Sequence, residues 1–315
     1  MERSGLSALI KEKARAIGFD KVGIAAARPL RNASYLREWL QDGFQGEMHW
    51  MERYLEKRLD VTKLYPSAKS VVVVAHNYYT PVDHSRDTAK GKISRYAWGH
   101  DYHKIMRKKL KLLLSELRQI EPTLEGRLFV DSAPVQEKLW ARQAGIGWQG
   151  KNTNLLTREM GSWIFLGELI VNKELICDEP LTDYCGRCTA CIDACPTGAL
   201  QPYKLDARKC ISYLTIEHRD KPIAGELAAK MGNWIFGCDI CQEVCPWNSF
   251  ARETKETGYF PEADNIEPEL TRLVQMSDEQ FKKRFKKTPV FRAGPKNFLR
   301  NVRIALQNHF SKEWE

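Results

Sequence analysis

The chain has no long apolar run. Among its 315 residues the longest strongly apolar stretch is the VVVVA that begins at Val71, a strand-length segment far short of the roughly 20 residues that cross a bilayer. The N-terminus, MERSGLSALIKEKARAIGF, is charged every few positions and lacks the apolar core of a signal peptide, so a cytoplasmic protein is expected. Cysteine is missing from 1–176 and from 246–315, because all nine cysteines fall between Cys177 and Cys245. Such crowding in a reducing compartment points away from disulfides and towards metal or redox chemistry. Acidic residues are absent from Phe281 to Lys312, where ten Lys or Arg occur. Removing those ten from 49 leaves 39 basic against 40 acidic residues, so this one segment carries the whole net charge of +9.

What remains is enough for a sizeable core, since 43% of the residues are hydrophobic. LSALIKEKARAIG spaces Leu6, Leu9, Ile10, Ala14 and Ile17 as an amphipathic helix ending at Gly18. FDKVGIAAA, KSVVVVAHNYY, GRLFVDSAPV and GSWIFLGELIV read as strands, the valine run as a central one buried on both faces. HDYHKIMRKKLKLLLSELRQI and PVQEKLWARQAG read as helices, the second with Pro134 in its first turn. Strands interspersed with helices over 1–175 give the expected class, α+β or α/β. Residues 176–250 are short segments rich in Cys, Gly and Pro, as in a domain organised by metal. The rest, 251–315, is basic and helical, and RNVRIALQNHF reads as the first helix of a helical repeat without its partner.

Cys185-x2-Cys188-x2-Cys191-x3-Cys195-Pro196 is the bacterial ferredoxin spacing, in which three thiolates hold one [4Fe–4S] cube and the fourth reaches the other. The second run, Cys238-x2-Cys241-x3-Cys245-Pro246, has Ile235 where its first cysteine would stand, so one ligand comes from outside. Cys177 and Cys210 are the candidates, and Cys210 lies in the loop between the motifs. The expected sets are Cys185, Cys188, Cys191 and Cys245 for one cluster, and Cys195, Cys210, Cys238 and Cys241 for the other. Cys177 is then an ordinary small apolar residue. Structural zinc is the competing reading of Cys-x2-Cys, but the full run is not a zinc spacing.

Asp131 follows the strand GRLFV and precedes a helix, where ending the strand or capping the helix is the plain reading of an aspartate. The segments SRYAWGHDYHK, FVDSAPVQEKLWARQAGIGWQGKNTNLL, GSWIFLGELI and CGRCTACIDACPTGAL, in this order, together with GPKNFLRNVRIAL, resemble the epoxyqueuosine reductase family. The resemblance implies a monomeric cobalamin and iron–sulfur oxidoreductase that reduces epoxyqueuosine to queuosine at the wobble position of tRNA. It also implies a reductive-dehalogenase-like cobalamin domain in the N-terminal α/β part, two [4Fe–4S] clusters, base-off cobalamin, and an electron donor as partner. The family's proton donor falls on Asp131, whose pKa a desolvated pocket would raise. The loop Lys151, Asn152 and Thr153 offers amide and polar groups to the corrin, with Arg95, Tyr96 and Asp131 as further contacts. Asp101-x-His103 lacks the glycine of the D-x-H-x-x-G cobalt-ligand signature, having Met106 there, so His103 is expected on the surface or at a helix cap. Lys282, Lys283, Lys286, Lys287, Arg292, Lys296 and Arg300, interleaved with Phe281, Phe285, Phe291 and Phe298, are the expected tRNA-binding face. Another cobalamin reductase of the reductive dehalogenase kind, or a ferredoxin-type carrier, is the alternative reading of the cluster motifs.

Overall fold

The computed structural model describes residues 2–30 and 33–312. Its centre is a four-stranded sheet in the order Lys21–Ala26, Ser70–Asn77, Ile164–Val171, Gly126–Phe129. Every neighbouring pair is antiparallel. The helices that separate the strands in sequence therefore do not act as parallel crossovers, and the rule placing ligands at the carboxyl ends of parallel strands does not apply.

The valine run is the second strand, and all eight of its residues are buried. Its two faces feed two cores, as alternation of side chains along a strand requires. Val72 and Val74 pack with Leu6 and Ile10 of the Arg3–Ala16 helix and with Met106, Leu110 and Leu113 of the Tyr102–Ile120 helix. Val71, Val73 and Ala75 pack on the opposite face with Trp140 and Ala141 of the Glu137–Gln143 helix. That helix ends so close to the sheet that a side chain at Gly23 would run into the carbonyl of Ala144.

The cysteine segment is joined to this body by a parallel pairing of Trp234–Phe236 with Lys92–Ile93. A third core lies behind that pairing. Ile93, Trp98 and Phe236 meet Leu270, Phe281, Phe285, Phe298 and Val302, so the basic C-terminal segment is built into the protein rather than appended to it. The Gly294–Lys312 helix, expected as a repeat helix without its partner, packs against the Trp234–Phe236 strand and the Leu270–Leu273 helix. No described helix is long and apolar enough to cross a membrane.

Candidate active site and cluster-binding cavities

The nine cysteines separate in space as their spacing suggested. Cys185, Cys188, Cys191 and Cys245 line one cavity of about 470 Å³, walled also by Lys151, Asn152, Tyr184 and Trp247. Cys195, Cys210, Cys238 and Cys241 line another of about 250 Å³. The one-turn helices Ala190–Asp193 and Ile240–Glu243 pack against each other, and each ends just before the Cys-Pro step that carries a thiol to the opposite cavity. Burial raises the pKa of the Cys245 thiol, and the neighbouring Cys185 and Cys188 add to the shift. Burial likewise raises that of Cys210, with a contribution from Cys195. Such thiols stay protonated unless a metal takes the charge, which is the chemistry a cluster supplies. Among the described residues no three His, Cys, Asp or Glu side chains converge on a single-ion point. The cysteines instead surround spaces of polynuclear size. Cys177 lines neither cavity and is exposed rather than packed, with its Sγ 3.8 Å from the Leu175 carbonyl oxygen.

A third cavity, of about 410 Å³, opens over Asp131. It shares Tyr96, Leu205, Cys210 and Ser212 with the cavity of Cys195, Cys238 and Cys241. The space around the second thiol set thus adjoins the space in front of Asp131. Its walls mix apolar groups, Tyr213, Ile216, Pro289 and Phe291, with the charged side chains of Glu217, Lys286 and Arg292.

Asp131 holds a left-handed backbone conformation, φ 45°, just beyond the Gly126–Phe129 strand. Its backbone N–H donates to Glu137 Oε1 at 2.7 Å, and its Oδ2 accepts from the Tyr102 hydroxyl at 2.6 Å. The same oxygen lies 3.6 Å from His103 Nε2, whose other ring nitrogen is 2.7 Å from Asp101 Oδ1. Burial raises the pKa of Asp131, but the hydrogen bonds to His103 and Tyr102 outweigh it and leave the carboxyl below its ordinary value. Desolvation alone could have raised this pKa, but an imidazole ring beside the carboxylate counteracts it. The proton is held elsewhere. His103 is pushed up to about 9, burial being overcome by the hydrogen bonds to Asp101 and Asp131. Glu137 is raised by burial and by the charge of Asp131.

Several expected contacts lie apart from this cavity. Arg95 is buried, its Nη1 donating to the carbonyls of Thr80 and Val82 while its guanidinium sits over Tyr79, Trp98 and Trp163. Its Nη1 and the face of its guanidinium are engaged in holding the fold, while its Nε has no hydrogen-bond partner among the described residues. Lys151 lines the first thiol cavity and clamps the carbonyls of Gly186 and Cys188 at 2.7 and 2.9 Å. Asn152 lines both thiol cavities, and its amide reaches the Cys241 carbonyl at 3.1 Å. Thr153 and Tyr96 line the second thiol cavity, and Tyr96 reaches the Asp131 cavity too. Met106, in place of the signature glycine, is fully buried under the sheet. His103 is partly exposed but is not the cap: Asp101 caps the helix, and both nitrogens of the His103 ring face carboxylates.

The basic segment divides likewise. Lys282, Lys283, Lys286 and Lys287 are exposed. Arg292 pairs with Glu217 at 2.8 Å and Lys296 with Asp220 at 3.0 Å. Arg300 donates to the carbonyls of Leu214, His218 and Lys221, so its charge braces the chain rather than facing outwards. Phe281, Phe285 and Phe298 pack against one another with tilted rings in the third core, leaving Phe291 as the exposed ring of the four. Periodicity placed these aromatics beside the lysines in sequence but not on the same face. Sequence reasoning also missed Tyr102, Glu137, Tyr213 and Glu217; for Tyr102 the signal was its place inside Asp101-Tyr-His103.

Comparison with known proteins agrees with this geometry. Residues 58–132 match the family described as epoxyqueuosine reductase QueG, DUF1730, and residues 184–248 match a 4Fe-4S double cluster binding domain. An epoxyqueuosine reductase of Leadbetterella byssophila is 48% identical over 294 residues, 93% of this chain and 96% of that protein. One of Synechocystis sp. is 44% identical over 291 residues, covering 91% of this chain and 100% of the relative. The chain belongs to the epoxyqueuosine reductase family. The matched double-cluster domain spans both cysteine runs, from Cys185 to Cys245. A crystal structure of an epoxyqueuosine reductase with an epoxyqueuosine-modified tRNA-Tyr stem loop superposes with a TM-score of 0.88 at 32% identity, covering 97% of this chain and 82% of that one.

Proposed function

We infer that this protein reduces epoxyqueuosine to queuosine in tRNA, with Asp131 delivering a proton to the epoxide oxygen. The observation that carries the reading is the adjacency of cavities: the space lined by Cys195, Cys210, Cys238 and Cys241 shares four wall residues with the space over Asp131. The other thiol set stands behind it, linked through Asn152. Electrons entering at the first cluster would pass to the second and emerge beside the acid. Membership of the family sets aside the carrier reading, because a carrier has no use for an acid beneath a walled cavity.

The residues present fit the cofactors. Two groups of four thiols suit two cubes, and the apolar side chains of Tyr96, Leu205, Ile216 and Phe291 suit the face of a macrocycle. His103, the histidine of this cavity lining, has its two ring nitrogens turned towards Asp101 and Asp131. Bound cobalamin supplies two-electron nucleophilic chemistry at carbon. The chain's own residues do the rest. Tyr102 and His103 orient the Asp131 carboxyl, Glu137 fixes its backbone, and the apolar walls keep water from competing for the reactive carbon.

For the tRNA, Lys282, Lys283, Lys286 and Lys287 supply exposed positive charge, and Lys286 and Arg292 bring it to the cavity mouth. These side chains are suited to phosphates flanking the inserted nucleotide. The test is anaerobic reconstitution with iron, sulfide and cobalamin, followed by turnover on tRNA carrying epoxyqueuosine. Appearance of the queuosine nucleoside is the expected result; its absence from protein with full cluster and corrinoid content would reject the function.

A further inference from the structure

Converting an epoxide to an alkene breaks both C–O bonds and releases the oxygen as water. The balance is one epoxide, two electrons and two protons in, one alkene and one water out. Both protons end on the same oxygen, and one carboxyl carries one. Either Asp131 is recharged between the two transfers or a second donor reaches the oxygen.

We propose that the Asp101–His103 pair is a proton relay that recharges Asp131, so that both protons reach the departing oxygen through the same carboxyl. The inference rests on the functional reading above. The geometry is directional: Asp101 Oδ1 holds His103 Nδ1 at 2.7 Å, which turns Nε2 towards Asp131 Oδ2 at 3.6 Å. A carboxylate behind an imidazole fixes its orientation and stabilises its charged form. The ring stacks on Tyr102, with centroids 4.1 Å apart, and Tyr102 is held in turn by stacking on Phe165, so the imidazole cannot swing away without losing its contacts with Tyr102 and Asp101. The side chain of His103 is 24% exposed and that of Asp131 49%; a nucleotide seated over Asp131 would cover the open face of the carboxyl and leave the ring as its route to solvent. In the transfer the Nε2–H bond breaks as an Asp131 O–H bond forms; neutral His103 then takes a proton from water.

The charged and titratable groups around the ring are Asp101, Tyr102 and Asp131 in contact, with Glu217, Lys286 and Arg292 farther off in the same cavity wall and Glu137 against the Asp131 backbone. The nearest ones are anionic and favour imidazolium. Burial opposes that form but loses to the hydrogen bonds, which leave the histidine protonated up to about pH 9. The sign follows directly. The relay is charged below that pH and empties above it.

Two measurements test the proposal. In protein without cobalamin, nitrogen-15 NMR of labelled histidines should show the ring of His103 charged through pH 8, and Asp131→Asn should lower its pKa. Titration of His103 near the ordinary value of about 6.5, or indifference to Asp131→Asn, would overturn the relay. In loaded protein, single-turnover rates for His103→Asn should fall about 10- to 100-fold at pH 7.5. The deficit should widen with pH up to about 9, while tRNA affinity and the cluster absorbance stay as in the parent. A deficit equal at every pH marks a merely structural residue, and no deficit marks a spectator; either sinks the proposal. If His103→Asn does not fold, Asp101→Asn should show the same widening, and the NMR titration of the parent protein decides independently. Failure of the parent to turn over would instead reject the functional reading.

Discussion

In the central sheet every residue of Ser70–Asn77 is buried, whereas in the cysteine segment the Ile240–Glu243 helix buries none. The sheet is held by apolar packing on both faces. The two cysteine runs consist of one-turn helices and loops whose thiols line spaces of about 470 and 250 Å³, while the stretch between them packs Ile211, Leu214, Met231 and Trp234 in a small apolar cluster. Helices of one turn have little stability of their own. The first region therefore owes its order to side-chain volume, and the second to the metal its thiols share. The active site lies where the two meet: Asp131 comes from the end of a strand, and Cys210 from the cysteine segment.

The largest test of this contrast is removal of the clusters. Iron chelation, or Cys241→Ser, should abolish turnover and speed amide exchange throughout 185–245, with Val71–Ala75 still protected. Equal loosening of the strand would show that the sheet depends on the clusters too. Next in size is Asp131→Asn, which should cost about 10²- to 10⁴-fold in turnover with unchanged iron content, because the carboxyl belongs to the packed region and holds no metal. Replacing Lys282, Lys283, Lys286 and Lys287 together by Gln should weaken tRNA binding and reduce the slope of log affinity against log salt by about 0.7–0.9 for each lysine that touches a phosphate. An unchanged slope would reject that face.

The smallest effect is expected inside the sheet. Glu168 stands opposite Val73 and Phe129, is fully buried, and has no hydrogen-bond partner on either carboxylate oxygen among the described residues. Burial, then the charges of Glu137 and Asp131, raise its pKa well above the usual carboxylate range. The folded protein thus holds a proton that the unfolded chain releases above the ordinary value of about 4.3. This residue's contribution to stability falls as pH rises from there towards the folded pKa. Glu168→Gln should remove that dependence, with little change in stability near pH 4; an unaltered pH profile of thermal unfolding would contradict the assignment.

The sequence made the strands, the main helices and the division of the cysteines legible, each for a local reason. Four consecutive valines signal a strand covered on both sides, and Cys-x2-Cys-x2-Cys-x3-Cys-Pro encodes which thiol crosses over. The antiparallel pairing was not legible, because it depends on which strands meet across long separations. The same limit hid the roles of Arg95, Lys151 and Arg300: each is a basic residue near a plausible site, and only its partners show that it braces carbonyls. His103 illustrates the converse. Its spacing argued against cobalt ligation, and the structure adds the two carboxylates that give the ring another use.

The central claim is that two crossed sets of four thiols carry a pair of iron–sulfur cubes. It is tested most directly by counting iron in anaerobically reconstituted parent, Cys210→Ser and Cys177→Ser proteins. The account predicts about eight irons per chain in the parent and in Cys177→Ser, and about four in Cys210→Ser. Zinc in place of iron, or loss of a cluster from Cys177→Ser with Cys210→Ser intact, would contradict it.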